Sequence, residues 1–157
     1  MFIHFSAVRS HPTPKGNPLK RVWDFPLALL KICTKAIENG AKGIIATNTS
    51  TDYTLIGNRR KNGGISGKLI MEKSRSMLDT LADEFFGDTV IISVGGISNA
   101  EDAYYRITHG AMLLQLYTAL IYEGPTVASN INRGISELLR KDGYSKISDA
   151  IGANLKK

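Results

Sequence analysis

Between Leu27 and Asn39 the apolar residues Leu29, Leu30, Cys33, Ala36 and Ile37 recur at helical spacing, and Gly40 follows as a stop. Next comes Gly43-Ile-Ile-Ala-Thr-Asn48, a short apolar run breaking into polar residues, as a buried parallel strand ending at a functional edge should. The alternation then repeats. Met71–Phe86 reads as a helix closed by Gly87-Asp88, and Thr89–Val94 as a second buried strand ending in Gly95-Gly96. A third helix is expected over Asn99–His109: Ser98 offers an N-cap, acids fill the first turn and Gly110 sits just past the end. Met112–Tyr117 is a third strand. A short apolar segment then leads to a helix from about Pro125 to Leu139, with proline suited to the first turn, and a last short helix over Ser148–Leu155. Upstream the period is lost. Residues 1–26 hold Pro12, Pro14, Pro18 and Pro26 and read as irregular or extended, because proline fixes φ and removes a donor.

Strands alternating with helices predict a parallel β/α architecture. Two folds compete. A doubly wound, flavodoxin-like sheet fits the 157 residues. A (β/α)8 TIM barrel takes ~250 residues, so this chain would be only its C-terminal half. Length favours the first fold, whereas the chemistry at the strand ends favours the second.

Composition narrows the class. Hydrophobic residues make up 43% and charged residues 22%, an ordinary balance for one soluble domain able to bury a core. No run approaches the ~18 apolar residues of a membrane span. The opening Met1-Phe-Ile-His-Phe-Ser6 has no basic segment followed by a sustained apolar run, so it does not read as a signal peptide. The single cysteine, Cys33, falls in an apolar run and reads as a small buried hydrophobe, which by default places the chain in the reducing cytoplasm. The net charge of +6 is concentrated near the front and in Arg59-Arg60-Lys61. Without interleaved aromatics or a nucleic-acid-binding signature these read as solvated faces, not as a nucleic-acid surface, and the positive potential also suits an anionic ligand. His4, His11 and His109 show no metal spacing, so no metal site is expected.

Each strand end carries its own signature. Gly95-Gly96 would let backbone approach an anion closely and aim N–H groups at it, or would simply make a tight turn. Together with Leu116-Tyr117-Thr118 after the next strand, it matches the place where barrels bind phosphate. Ala46-Thr47-Asn48-Thr49-Ser50-Thr51 offers donors and acceptors fit for a planar, amide-rich ligand, and equally for an Asx-turn run. Gly63-Gly-Ile-Ser-Gly67-Lys68 fails the phosphate-loop spacing, since three residues separate Gly63 from Gly67 and Leu69 follows the lysine. It also fails the nucleophile-elbow pattern, and reads instead as a loop whose backbone approaches a ligand.

Taken in order, these segments resemble one family. Ala41-Lys-Gly-Ile-Ile-Ala-Thr-Asn-Thr49, Gly63-Gly-Ile-Ser-Gly67, Val94-Gly-Gly-Ile97, Gln115-Leu-Tyr-Thr-Ala119 with Tyr122-Glu-Gly-Pro125, and the closing Asp142-Gly-Tyr144 with Ile147-Ser-Asp-Ala-Ile-Gly152 are similar to class 2, quinone-dependent dihydroorotate dehydrogenases. The resemblance covers residues 27–157 and leaves 1–26 as a separate Pro-rich segment. It implies the C-terminal half of an FMN-binding (β/α)8 barrel from pyrimidine biosynthesis. In that family dihydroorotate is oxidised to orotate, hydride passes to FMN, and electrons leave to a membrane quinone at the inner membrane. By position, Thr47 and Gly67 would contact FMN; Gly96, with Gly95, and the backbone of Tyr117 and Thr118 would hold its phosphate. Asn48 and Thr49 would hydrogen-bond the orotate ring and carboxylate.

The departures also carry expectations. Leu69 stands where the family has proline. Lys20-Arg-Val-Trp-Asp24 keeps the lysine and aspartate of a family strand motif, but Trp23 replaces its proline. The loop with the family's catalytic serine base, and the helices that meet membrane and quinone, have no counterpart here, so no catalytic residue is assigned. A chain lacking that base is expected to turn over little alone. Its open sheet edges would expose apolar surface and favour self-association, or pairing with a separate first half.

Overall fold

The computed structural model describes residues 2–4, 18–57 and 62–155, with 2–4 and 18–26 described by their backbone alone. Residues 5–17 and the basic cluster Arg59-Arg60-Lys61 lie outside the described residues. The elements run β1 (Phe2–His4), α1 (Pro18–Glu38), β2 (Gly43–Ala46), α2 (Met71–Phe85), β3 (Val90–Val94), α3 (Ala100–Thr108), β4 (Leu113–Gln115), α4 (Thr118–Glu123), α5 (Val127–Lys141) and α6 (Ile147–Ala150). Among the described residues, four strands form one parallel sheet in chain order.

Register and alternation settle which fold this is. Ile44 pairs with Ile91, and Ala46 with Ser93, which in turn pairs with Leu114. Alternating side chains therefore put these residues on one face of the sheet. On that face Ile44, Ala46 and Ile91 pack with Leu29 and Cys33 of α1 and with Leu78 and Leu81 of α2. Ser93 accepts a hydrogen bond from Arg106 of α3 on the same side. Ile97, Ala103 and Ile107 then pack against Val127, Ile131 and Ile135 of α5, and Leu114 touches both clusters. Helices α1, α2 and α3 thus share one face, while Leu113, on the opposite row beside Ile45 and Ile92, is 55% exposed. A doubly wound sheet would carry helices on both faces; helices on one face only are the arrangement of a barrel segment.

Some boundaries differ from the periodic reading. Helix α1 begins at Pro18 rather than Leu27, so residues 18–26 are helical backbone and not irregular. Pro18 suits a first turn, but Pro26 breaks the sequence signal without ending the helix. Phe2–His4 adds a short strand beside β2. The apolar segment after β4 is the helix α4, and α6 covers only Ile147–Ala150. Cys33 is fully buried, and burial pushes its thiol up to about 11, as fits a packing residue. Among the described residues no helix is long and apolar enough to cross a membrane.

Candidate functional site

All four strands run parallel, so the segments leaving β2, β3 and β4 emerge at the same edge of the sheet. After β2 the chain stays tied to its neighbour. The Thr47 N–H donates to the Val94 carbonyl at 3.0 Å and its hydroxyl reaches the same oxygen at 3.5 Å. The Ala46–Thr47 peptide is cis. One residue on, Asn48 Oδ1 accepts from the Thr49 N–H at 2.7 Å. Ser50 and Ile65 then exchange two backbone hydrogen bonds of 2.8 Å, which folds the 62–67 segment back over the rim. Tyr53 holds the fold-back by donating to the Gly63 carbonyl at 2.8 Å.

That returning loop meets the end of β4. The Thr118 hydroxyl donates to Ser66 Oγ at 3.0 Å. Gly67 has φ +73°, and a Cβ there would sit 2.8 Å from Thr118 Cγ2. Glycine is needed at this crossing for both conformation and space.

The end of β3 is packed more closely still. Gly95 and Gly96 have φ +113° and +79°, and a Cβ on Gly96 would lie 2.7 Å from the Met71 Cα. From behind, the Gly95 carbonyl accepts hydrogen bonds from Ser74 Oγ at 2.6 Å and from Arg106 Nη2 at 2.7 Å. Arg106 is fully buried and also donates to Ser93 Oγ and Ser74 Oγ, each at 2.7 Å. Burial first, and the neighbouring Arg75 second, lower its pKa to about 10, so it stays a cation at neutral pH. Arg75 itself pairs with Asp102 and lies 4.4 Å over the Tyr105 ring.

These strand ends line an open cavity of about 670 Å³. Thr47, Asn48 and Thr49 line it from β2, Gly67 from the returning loop, Gly96 from β3, and Tyr117 and Thr118 from β4. All seven residues expected at a site are thus brought together. Ser98 lines it too: the side chain that caps α3 is Asn99, which accepts from the Asp102 N–H at 2.8 Å, and not Ser98 as the pattern implied. Lys68 and Gln115 also contribute; both lie in or beside the family-like segments, but the sequence assigns neither a role. Nor does the sequence mark Ser74 and Arg106, since polar residues on helices ordinarily face solvent. Lys20 falls within α1 and not on a strand, so it lacks the context its motif would require.

The cavity has the size and a backbone donor that a phosphate-bearing small molecule needs. The volume lies in the range of small-molecule sites, roughly 300–1,000 Å³. Gly96 lines the cavity, and its N–H has no acceptor among the described residues. Such a backbone donor between two glycines suits an anionic oxygen.

The similarities of the chain point the same way. The family model for dihydroorotate dehydrogenase matches residues 26–139. The dihydroorotate dehydrogenase (quinone) of a Nitratiruptor species is 52% identical over 127 residues, covering 81% of this chain and 36% of the relative. That of Nautilia profundicola is 51% identical over 129 residues, covering 82% of this chain and 36% of the relative. The crystal structure of an Eimeria tenella dihydroorotate dehydrogenase in complex with ferulenol superposes with a TM-score of 0.70 at 33% identity, covering 78% of this chain and 33% of that one. The fold is that of a segment of a β/α barrel oxidoreductase. The chain belongs to the dihydroorotate dehydrogenase family, and the relatives it matches are quinone-linked members. It spans about a third of their length.

Proposed function

We propose that the cavity binds FMN by its phosphate and presents Thr47–Thr49 to a dihydroorotate-type substrate, forming the ligand-facing wall of a quinone-linked dihydroorotate dehydrogenase. The observation that carries this reading is the convergence of four separate segments, each expected at such a site, on one cavity. Gly96, with Gly95, and the backbone of Tyr117 and Thr118 hold the phosphate. Thr47 and Gly67 contact the flavin, and Asn48 and Thr49 hydrogen-bond the orotate ring and carboxylate. Bound FMN supplies the hydride acceptor for oxidation of dihydroorotate to orotate, with a membrane quinone as the final acceptor in the family. The chain's own residues bind, orient and shield. None of them is assigned as the base that removes the substrate proton, and lacking one costs roughly 10²–10⁴-fold. Binding without appreciable turnover is therefore the capacity assigned to these 157 residues by themselves.

Titration of flavin fluorescence tests the reading. FMN is expected to saturate the chain, and orotate to bind the loaded form. Asn48→Ala should weaken orotate by about 3- to 10-fold, the worth of one hydrogen bond, and leave FMN unchanged. A folded chain that ignores FMN would refute the proposal.

A second reading rests on the exposed apolar residues Leu113, Tyr117, Ile121 and Tyr122 around β4 and α4. An edge strand with apolar neighbours is a pairing surface. On this reading the chain binds flavin without catalysis and covers that edge with a second copy or a separately encoded first half. Sedimentation of the purified chain distinguishes a defined dimer from a monomer.

A further inference from the structure

We propose that Arg106 is a positioning residue for the anion end of the cavity: it pins the Gly95 carbonyl inward, so that the Gly96 N–H is held toward the ligand. The proposal deepens the FMN reading above and rests on it for the identity of the anion. A peptide flanked by two glycines can flip its plane with little steric penalty, because neither side has a Cβ to clash. Gly95 and Gly96 both have positive φ, so their shared peptide is of this kind. In a trans peptide the C=O and the following N–H point in opposite directions. Fixing the Gly95 oxygen against Ser74 Oγ and Arg106 Nη2, at 2.6 and 2.7 Å, therefore fixes where the Gly96 N–H points. That N–H is without an acceptor among the described residues, and Gly96 lines the cavity.

The burial of Arg106 sharpens the case. Its guanidinium is inaccessible to solvent, and its hydrogen bonds go to two hydroxyls and a carbonyl, with no carboxylate among them. The nearby Asp102 is engaged by Arg75. A buried cation without a directly bonded carboxylate is costly for a fold and is poorly explained as a stability device. Directly behind a loop meant for a phosphate, its charge adds to the attraction. Lysine could not replace the planar fork, which reaches Ser93 with one nitrogen and Ser74 and Gly95 with the other.

Binding of FMN and of riboflavin to the full chain separates positioning from general damage, because riboflavin lacks the phosphate. Arg106→Gln should weaken FMN by about 10- to 100-fold, the effect of losing a charge-assisted contact, and riboflavin by less than about 2-fold. Arg106→Lys should fall between wild type and Gln. Ser93→Ala, which removes only the partner of Nη1 and leaves the Nη2 contact to Gly95 in place, should leave the FMN-to-riboflavin ratio unchanged. A folded Arg106→Gln chain with wild-type FMN affinity, or one losing both flavins equally, would overturn the proposal. Titration with inorganic phosphate, followed at the Gly96 amide by 15N NMR, gives an independent reading and decides the matter should Gln unfold the chain. The amide should shift saturably in wild type and less in Arg106→Lys. If wild type shows this shift but does not bind FMN, the FMN reading fails and the role of Arg106 stands. If FMN binds while Gly96 is silent to phosphate, the role of Arg106 fails and the FMN reading stands.

Discussion

Two neighbouring strand ends on the same rim are built in opposite ways. Behind the end of β3, Ser74, Ser93 and Arg106 meet the glycine loop in a buried hydrogen-bonded cluster, and Leu81 and Ile91 are almost wholly buried below it. At β4, Leu113 and Gln115 are exposed, and α4 presents Ile121 and Tyr122 to solvent. Parallel strands are ordinarily covered on both faces. The difference teaches that the end of β3 is held by contacts of its own, whereas β4 and α4 leave apolar surface exposed.

The largest expected effect tests that contrast in stability. Leu81→Ala should cost ~2–5 kcal/mol, as for a leucine removed from a packed core. Leu113→Ala should cost under about 0.5 kcal/mol, as at an exposed site. Urea unfolding measures both, and equal costs would erase the distinction between the two regions. Next in size is Gly96→Ala, which brings a Cβ to 2.7 Å from the Met71 Cα at a φ of +79°. We expect a loss of about 1–3 kcal/mol together with loss of FMN binding, read by the same unfolding curves and a flavin titration. Where the returning loop meets the end of β4, Gly67→Ala should be destabilising through contact with Thr118 Cγ2. Adding Thr118→Ser, which deletes that methyl and keeps the hydroxyl on Ser66, should recover about 0.5 kcal/mol or more in a double-mutant cycle. Simple additivity would mean that the two are not coupled there.

The smallest effect concerns Asp79 on α2, whose buried Oδ1 has no hydrogen-bond partner among the described residues. Burial raises its pKa above the ordinary carboxylate value. A raised acid favours the folded state below its unfolded pKa, and that contribution is lost as pH rises through the folded value. Asp79→Asn should therefore stabilise at pH ~7, by under about 1 kcal/mol, and the gain should shrink toward acid pH. Thermal unfolding across that range gives the sign directly.

Much of this was legible in the sequence. The strands β2, β3 and β4 and the helices α2, α3 and α5 follow from apolar period and glycine punctuation, and parallel strands bring their polar ends to one edge, so the seven expected residues line one cavity. What periodicity could not show is which sheet face each helix covers, because long-range packing decides that, and so it left the barrel and the doubly wound sheet in competition. Pro26 hid the first turns of α1. Arg106 stayed invisible for a related reason: an arginine on a helix looks solvated until the packing of α3 on β3 and α2 encloses it.

The most direct test of the central claim, a phosphate-selective flavin site at these strand ends, is size-exclusion chromatography of the full chain preincubated with FMN or with riboflavin, visible absorbance being followed across the protein peak. FMN should travel with folded protein and riboflavin should not. A folded peak that elutes colourless with both, or equally coloured with both, would contradict the claim.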